Sequence, residues 1–302
     1  MASPRASRLV KNIIKTDNDN RVVTGAVRAL RAFPYDQVKH YLYEALLHKD
    51  INVGIAASEI ILETLPREQW IDVSSIINRI GHWRIAANLY EAALKAGRNK
   101  DLAQEIQQRY TRASDPYERA WLLGTLKNYA PAFSFVETEL KNADTAVVRS
   151  SAAATLSAMG TIKDLNSSER SRFAQSYKQI IISQQDPAVL GTVAATLADS
   201  TLHFRTILKD ASFLRDAEKR LQLPEDNEAL QAVEAAIAHF EGRKQAKVEN
   251  QFNHPIDWDL VKQIPEGHEV TIKTTRGNIV IRLLVNESPG SMANFVARAS
   301  AK

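Results

Sequence analysis

The chain has 302 residues, no cysteine, and a net charge of +4 from 39 basic and 35 acidic residues. The absence of cysteine excludes disulfides, thiolate metal sites and a cysteine nucleophile. No stretch is long and apolar enough for a membrane span or for the core of a signal peptide. Basic residues are not concentrated among aromatic ones, so the charge does not indicate a nucleic-acid partner. The compartment stays open between the cytoplasm and, if a leader is missing, the periplasm or another extracytoplasmic space.

From Arg5 to Phe252 the pattern predicts helices joined by short turns, about fourteen helical segments in all. Two Asp-Pro pairs, Asp115-Pro116 and Asp186-Pro187, indicate helix starts, because Asp caps a helix and Pro suits its first position. Further starts are predicted at Pro131 and Pro224. Glycine marks the predicted ends, at Gly81, Gly97 and Gly160.

Several segments repeat one pattern, in which Asp is followed three residues later by Val and then by small residues. The clear copies are Asp19 with Val22, Asp50 with Val53, Asp144 with Val147 and Asp186 with Val189, and looser copies open at Asp115 and Asp226. One copy carries a stripe at helical spacing, formed by Val148, Ala152, Thr155 and Met159. Because a lone helical pair cannot cover both of its faces, we expect about seven pairs to stack. The predicted fold class is an all-α superhelix that ends in a short β-hairpin and a helix.

These openings resemble the HEAT-repeat family of α-solenoids. The Arg that this family usually carries shortly after the Val is matched at Arg149, while Thr24, Ile55 and Gly191 hold the equivalent positions. A different α-solenoid is the alternative. The resemblance implies a concave surface for another protein or an extended peptide, or else a support for the segment that follows.

The helical region contains no pattern that indicates catalysis. It has no HExxH motif, no glycine-rich phosphate loop and no GxSxG elbow. Five histidines are scattered along it, at His40, His48, His82, His203 and His239. The tryptophans Trp70, Trp83 and Trp121 stand at helical positions and are predicted to belong to the core between repeats. We therefore identify no catalytic, cofactor-binding or metal-binding residue.

The domain boundaries predicted from this pattern are a helical-repeat region over 1–252, a linker over 253–267 and a different fold over 268–302. Gly242 and the basic residues after it are predicted to form the frayed end of a helix. Within the linker, Pro255 and Pro265 bracket a short helix from Trp258 to Lys262. We expect Ile256 and Trp258 to pack against one neighbouring surface.

After the linker, apolar residues recur at every second position, which predicts a half-buried strand hairpin. In the first strand Val270, Ile272 and Thr274 share a face, and in the second strand Ile279, Ile281 and Leu283 do. Arg276-Gly277-Asn278 supplies the turn, with Gly277 free to adopt a positive φ. A helix follows, with Ser288 as its cap and Pro289 at its first position. Its predicted apolar stripe consists of Met292, Phe295, Val296 and Ala299.

The order strand, strand, helix and the residues TTRGNIVIRLL (274–284), Pro289 and ANFV (293–296) resemble the beginning of a cyclophilin-type peptidyl-prolyl cis-trans isomerase domain. Arg298 stands where that family usually has an apolar residue. Since two strands and one helix bury little, we expect this segment to be the incomplete start of a domain that was cut short. The resemblance makes Asn294 and Phe295 structural residues, and it gives no catalytic role to Arg276, Arg282 or Arg298.

A complete domain of this family is a barrel that binds prolyl peptides, stabilises the twisted amide with an Arg side chain, and uses no metal or cofactor. The sequence is therefore interpreted as part of such an isomerase, with proline-containing client proteins or peptides as partners. The repeats would bind a further protein on their concave face. This chain alone is expected to be inactive. The alternative is a non-catalytic HEAT-repeat scaffold, and a nucleic-acid-binding solenoid is a more distant third.

Overall fold

The structure, a computed structural model, describes residues 4–246 and 255–301. The chain divides into two compact units, a first unit up to Glu249 and a second unit from Asn250 onward. In the part of the chain that is described, the first unit is helical and the second contains two strands and two helices. The predicted all-α fold with a C-terminal hairpin and helix is confirmed.

The first unit is built from seven successive helical pairs. The first members of the pairs are α1 (Pro4–Thr16), α3 (Tyr35–Leu46), α5 (Trp70–Ile77), α7 (Lys100–Arg112), α9 (Phe133–Asn142), α11 (Ser167–Ser183), and a split seventh member, α13 (Phe204–Leu208) with α14 (Ser212–Glu218). The second members are α2 (Asn20–Ala29), α4 (Ile51–Thr64), α6 (Trp83–Gly97), α8 (Pro116–Thr125), α10 (Ala146–Gly160), α12 (Pro187–Ala198) and α15 (Asn227–Glu241). The split explains why residues 4–246 contain fifteen α-helices where about fourteen were predicted.

The two rows of helices are packed differently. Each second helix contacts the next one at every step from α2 to α15, whereas the first helices contact one another only sparsely before α11. We call this more closely packed row of second helices the inner row.

Four of the predicted aspartate caps are confirmed. The side chains of Asp19, Asp50, Asp115 and Asp186 each accept a hydrogen bond from the backbone N–H two residues later. Such a bond satisfies one of the amide donors that a helix start leaves without an intrahelical partner. The two Asp-Pro pairs thus begin helices as their sequence predicts.

Three other predicted starts are wrong. The N-cap of α10 is Thr145 rather than Asp144, so the repeat is offset by one residue and the buried valine is Val148. The Asp226 carboxylate accepts from the backbone N–H of Gln222 instead of capping α15. Pro224 lies in the turn before that helix, after a cis peptide bond. Several polar residues lie near each of these turns. The local sequence does not show which of them the folded chain places at the start of the helix.

Two of the glycines predicted to end helices do so, but for a reason of packing. Gly97 and Gly160 are the last residues of α6 and α10. A Cβ at Gly97 would lie 2.6 Å from the Trp70 ring, and one at Gly160 would lie 2.5 Å from the Tyr177 hydroxyl oxygen. The left-handed residue after α6 is Arg98, with φ of 47°. The third predicted end is displaced, because α5 already stops at Ile77, four residues before Gly81.

Polar side chains connect consecutive second helices. Asn20 Nδ2 donates to Asp50 Oδ2 at 2.9 Å, and buried Asn88 Nδ2 donates to Ser58 Oγ at 2.9 Å. Further along, Arg149 Nε donates to Asp186 Oδ2 at 2.8 Å. The capping aspartates Asp50 and Asp186 thus also bind a side chain of the preceding repeat, which fixes the offset between neighbouring repeats.

A single apolar core runs through the first unit. Its stripe of Val148, Ala152, Thr155 and Met159 is fully buried, as predicted. The rings of Phe133 and Phe173 stack with centroids 3.8 Å apart, at the contact between the fifth and sixth pairs. Because aromatic side chains bury large areas, this stack stabilises the packing of the fifth pair against the sixth.

The end of α15 is fixed rather than frayed, contrary to the prediction. Gly242 adopts a left-handed conformation with φ of 68°, and the N–H of Arg243 returns to the carbonyl of Ala238. The Arg243 guanidinium then binds the nearly buried Glu234 carboxylate, with Nη1 to Oε1 at 2.8 Å. Glu234 also accepts the backbone N–H of Ala246. These bonds hold residues 242–246 against α15.

The second unit contains an antiparallel hairpin of β1 (Glu269–Thr274) and β2 (Gly277–Arg282). Its register pairs Glu269 with Arg282 and Thr274 with Gly277. The turn consists of Thr275 and Arg276, and Gly277 has the predicted positive φ, at 125°. The turn is therefore one residue earlier than the sequence suggested.

Two helices accompany the hairpin, α16 (Trp258–Gln263) and α17 (Pro289–Ser300). Asp257 caps α16 by accepting from the N–H of Leu260, and Pro289 begins α17 as predicted, although the Ser288 side chain makes no capping bond. The unit's buried cluster is small: Ile264, Leu283 and Val285, with Met292 and Val296 among the half-buried residues around it. Residues 255–264, treated as linker in the sequence, thus belong to this unit.

Candidate functional site

Two histidines of the first unit serve local structure. His82 Nδ1 accepts the N–H of Arg84 at the start of α6, and His48 Nδ1 accepts the N–H of Asp50. Across the described ranges, 4–246 and 255–301, no group of three His, Asp or Glu side chains could hold a metal ion. In that part of the chain, no helix is both long and apolar enough to cross a bilayer.

Several tyrosines have raised pKa values because they are buried. Burial raises the pKa of Tyr90 to about 12, and the carboxylate of Glu105, which accepts its hydroxyl hydrogen, acts in the same direction. Burial, and then Glu139, raise the pKa of Tyr110 to about 12. A tyrosine whose pKa is raised this far is a weaker acid than usual and stays protonated at neutral pH. These tyrosines belong to the packing between helices.

The feature that stands out on the inner row is an exposed group of aromatic residues on α6 and α8. Trp121 is 38% exposed and Tyr117, one helical turn earlier on α8, is 60% exposed. The ring of half-buried Trp83, at the start of α6, lies 6.3 Å from that of Trp121 at an angle of 51°. We call Trp83, Arg84, Tyr117 and Trp121 the tryptophan patch. The prediction that Trp121 is core is wrong, and Trp83 is only partly covered.

Arg84 joins the patch to the preceding repeat. Its guanidinium carbon lies 5.1 Å from the centre of the Trp121 ring, within the range of a cation–π contact. Its Nη2 lies 3.3 Å from Glu59 Oε1 on α4. Arg84, the cation that lies over the Trp121 ring, is therefore already paired with a carboxylate.

The second unit exposes apolar residues on both faces of its hairpin. Ile279 is 52% exposed on one face and Val280 is 58% exposed on the other. The predicted inward face exists, because Val270 pairs with Ile281 and both are half-buried next to Leu283. Its far end, at Ile272 and Ile279, is uncovered. The hairpin therefore exposes more apolar surface than the small buried cluster of this unit covers.

The helix α17 covers less than its predicted stripe. Met292 and Val296 pack on the buried cluster, whereas Phe295 and Ala299 are exposed, and Ala293 is the buried residue instead. Trp258, which was expected to pack, is 54% exposed, and Ile256 lies beside Gly290. An apolar period identifies a helix face, but the tertiary structure decides how much of that face is covered.

The arginines of the second unit are brought to no common site. Arg276 lies in the exposed turn and Arg282 ends β2, also exposed. Arg298 Nε donates to Asn294 Oδ1 at 3.1 Å on the exposed side of α17.

Sequence reasoning missed one repeat position and the main surface feature. Arg119 stands four residues after the cap Asp115, as Arg149 stands four residues after Thr145. Arg119 Nη1 lies 3.6 Å from Asp144 of the next repeat, parallel to the pairing of Arg149 with Asp186. Counting from the caps rather than from the valines would have found it. The tryptophan patch had no such signal, because tryptophans 38 residues apart meet only in the stacked helices.

Comparison with known proteins adds no assignment. No protein-family model matches the sequence. No curated protein is significantly similar to it.

Proposed function

We propose that this chain is part of a cyclophilin-type peptidyl-prolyl isomerase, in which the helical repeats bind or support proline-containing client proteins. The observation that carries the proposal is the second unit: a hairpin with the resembling residues, followed by a helix that starts at Pro289. Its exposed Ile279 and Val280 suit a barrel wall that other strands cover. The family's chemistry is stabilisation of a twisted prolyl amide, whose rotation barrier is roughly 18–20 kcal/mol.

The chain alone is expected to be inactive, because the resembling segment contains none of the family's catalytic groups. The test is a prolyl-peptide isomerisation assay on two proteins: the 302-residue chain, and the same chain fused after residue 301 to the later strands of a known cyclophilin domain. We expect no catalysis from the first and catalysis from the second. A donor domain with its own hairpin serves as the control.

A folded but inactive fusion, beside an active donor control, would refute the isomerase proposal. Catalysis by the unfused chain would refute the expectation of inactivity. The alternative is a non-catalytic protein-binding scaffold. It is supported by the inner row of second helices, which carries an exposed aromatic patch on α6 and α8. An inactive fusion combined with specific peptide binding by the first unit would favour it.

A further inference from the structure

We propose that the tryptophan patch binds an uncharged, extended, proline-containing segment of a partner protein. This inference names the partner chemistry for the repeats and so rests on the protein-binding role in the proposed function. It does not require that the chain takes part in catalysis.

The rings offer what a proline-containing segment needs. A polyproline II helix presents its proline rings to aromatic surfaces. Because this helix is already extended, apolar contact forms without the entropy loss of ordering a flexible ligand. One turn of such a helix is about 9 Å long, from three residues of 3.1 Å each. The two indole centroids are 6.3 Å apart, so a single turn reaches both. Tyr117, one turn from Trp121 on α8, lengthens the same surface.

The hydrogen-bonding groups of the patch are complementary to the same ligand. A polyproline II backbone makes no internal hydrogen bonds, and its prolines have carbonyl acceptors but no N–H donors. Indole N–H groups are donors only. Neither indole of the patch donates a hydrogen bond to any residue that the structure describes. They are therefore free to donate to ligand carbonyls.

The charges argue against a charged ligand. Arg84, the cation over the Trp121 ring, is paired with Glu59. A single-stranded nucleic acid also stacks on aromatic rings, but it requires a positive groove along its backbone. With this cation paired, the patch suits a neutral segment better than a phosphate backbone.

The experiment measures fluorescence anisotropy of a fluorescein-labelled peptide of alternating alanine and proline, titrated with the full chain. A peptide of alternating alanine and glycine, of equal length, is the reference ligand. We expect the proline peptide to bind more tightly. Trp121→Ala is expected to weaken its binding roughly tenfold or more, as truncation of an aromatic anchor in an interface does. Trp121→Phe keeps a ring but loses the N–H donor, and should give an intermediate loss.

Two variants serve as matched controls. Trp258→Ala removes a more exposed tryptophan from the second unit, and Ile71→Ala removes an exposed apolar residue from α5 in the other row. Both are expected to leave peptide binding unchanged. Far-UV circular dichroism checks each variant, and if Trp121→Ala fails to fold, Tyr117→Ala carries the test because that ring is 60% exposed.

Several outcomes would overturn the inference. These are equal binding of the two peptides, no binding by the wild-type chain, and unchanged binding by Trp121→Ala. Stronger binding of single-stranded DNA through the same residues would also overturn it, as would a dimer that Trp121→Ala dissociates. If the proline peptide does not bind but the fusion protein is active, only the isomerase proposal stands. If the peptide binds but the fusion protein is inactive, only this inference stands.

Discussion

The two units differ in how much of their apolar surface is covered. In the first unit each helical pair is covered by its neighbours, and residues such as Phe173 and Tyr177 are fully buried. In the second unit one cluster around Leu283 is buried, while Ile279 and Val280 remain exposed. In the first unit, repetition gives each pair a neighbour that covers its apolar surface. In the second unit, two helices cover only part of one of the hairpin's two faces.

The largest expected effect is the loss of a core aromatic ring in the first unit. Phe173→Ala should lower the free energy of unfolding by about 3–5 kcal/mol, because it removes a stacked ring and leaves a cavity between two pairs. Urea denaturation followed by circular dichroism measures it. A loss below about 1 kcal/mol would contradict the account of the core.

The same kind of truncation in the second unit should have a separate effect. Leu283→Ala is expected to increase hydrogen exchange of the β1 and β2 amides, because it removes a large part of a small core. The unfolding transition of the first unit should not change, since the two buried clusters share no residue. A shift of that transition would show that the stabilities of the units are coupled.

The glycines at helix ends give the next smaller effect. Gly160→Ala should destabilise by about 1–3 kcal/mol, because its Cβ would meet the Tyr177 hydroxyl. Gly25→Ala, inside α2 with open space around it, is the control and should stabilise by about 0.5–1 kcal/mol through helix propensity. Thermal unfolding compares them. If both changes stabilise, Gly160 is not required by packing.

Helix caps come next. Asp186→Ala should cost about 1–2 kcal/mol, because it removes the cap of α12 and the partner of Arg149. Asp144→Ala removes an exposed aspartate that caps no helix and has only a 3.6 Å contact with Arg119, so its loss should stay within about 0.5 kcal/mol. Equal losses in denaturant unfolding would restore the original prediction that both residues open repeats.

The smallest effect concerns the end of α15 and depends on pH. The hydrogen bonds from Arg243 hold the pKa of Glu234 below its usual value, despite burial. The folded state therefore favours the carboxylate, so its contribution is present at neutral pH and is lost as the pH falls through the folded-state pKa. Proteolysis at residues 243–246 should increase toward acid pH. Glu234→Gln should make cleavage at neutral pH faster and nearly independent of pH, and a pH response equal to wild type would contradict this role.

The sequence by itself determined the helical elements, four aspartate caps, the two Asp-Pro starts and the hairpin, because each depends on residues close together in the chain. A cap needs an acceptor next to free amides, and a strand face needs only alternation. Local pattern also fixed the buried stripe of α10 from Val148 to Met159.

Only the tertiary structure decided which predicted faces are covered and which side chains meet. It placed Trp121 at the surface beside Trp83, made Gly97 a site of ring contact, and paired Arg119 with the following repeat. These outcomes depend on residues about 25 to 40 positions apart, whose contact is set by the stagger of stacked helices. The tryptophan patch was therefore beyond local sequence pattern, although each of its residues is visible in the sequence.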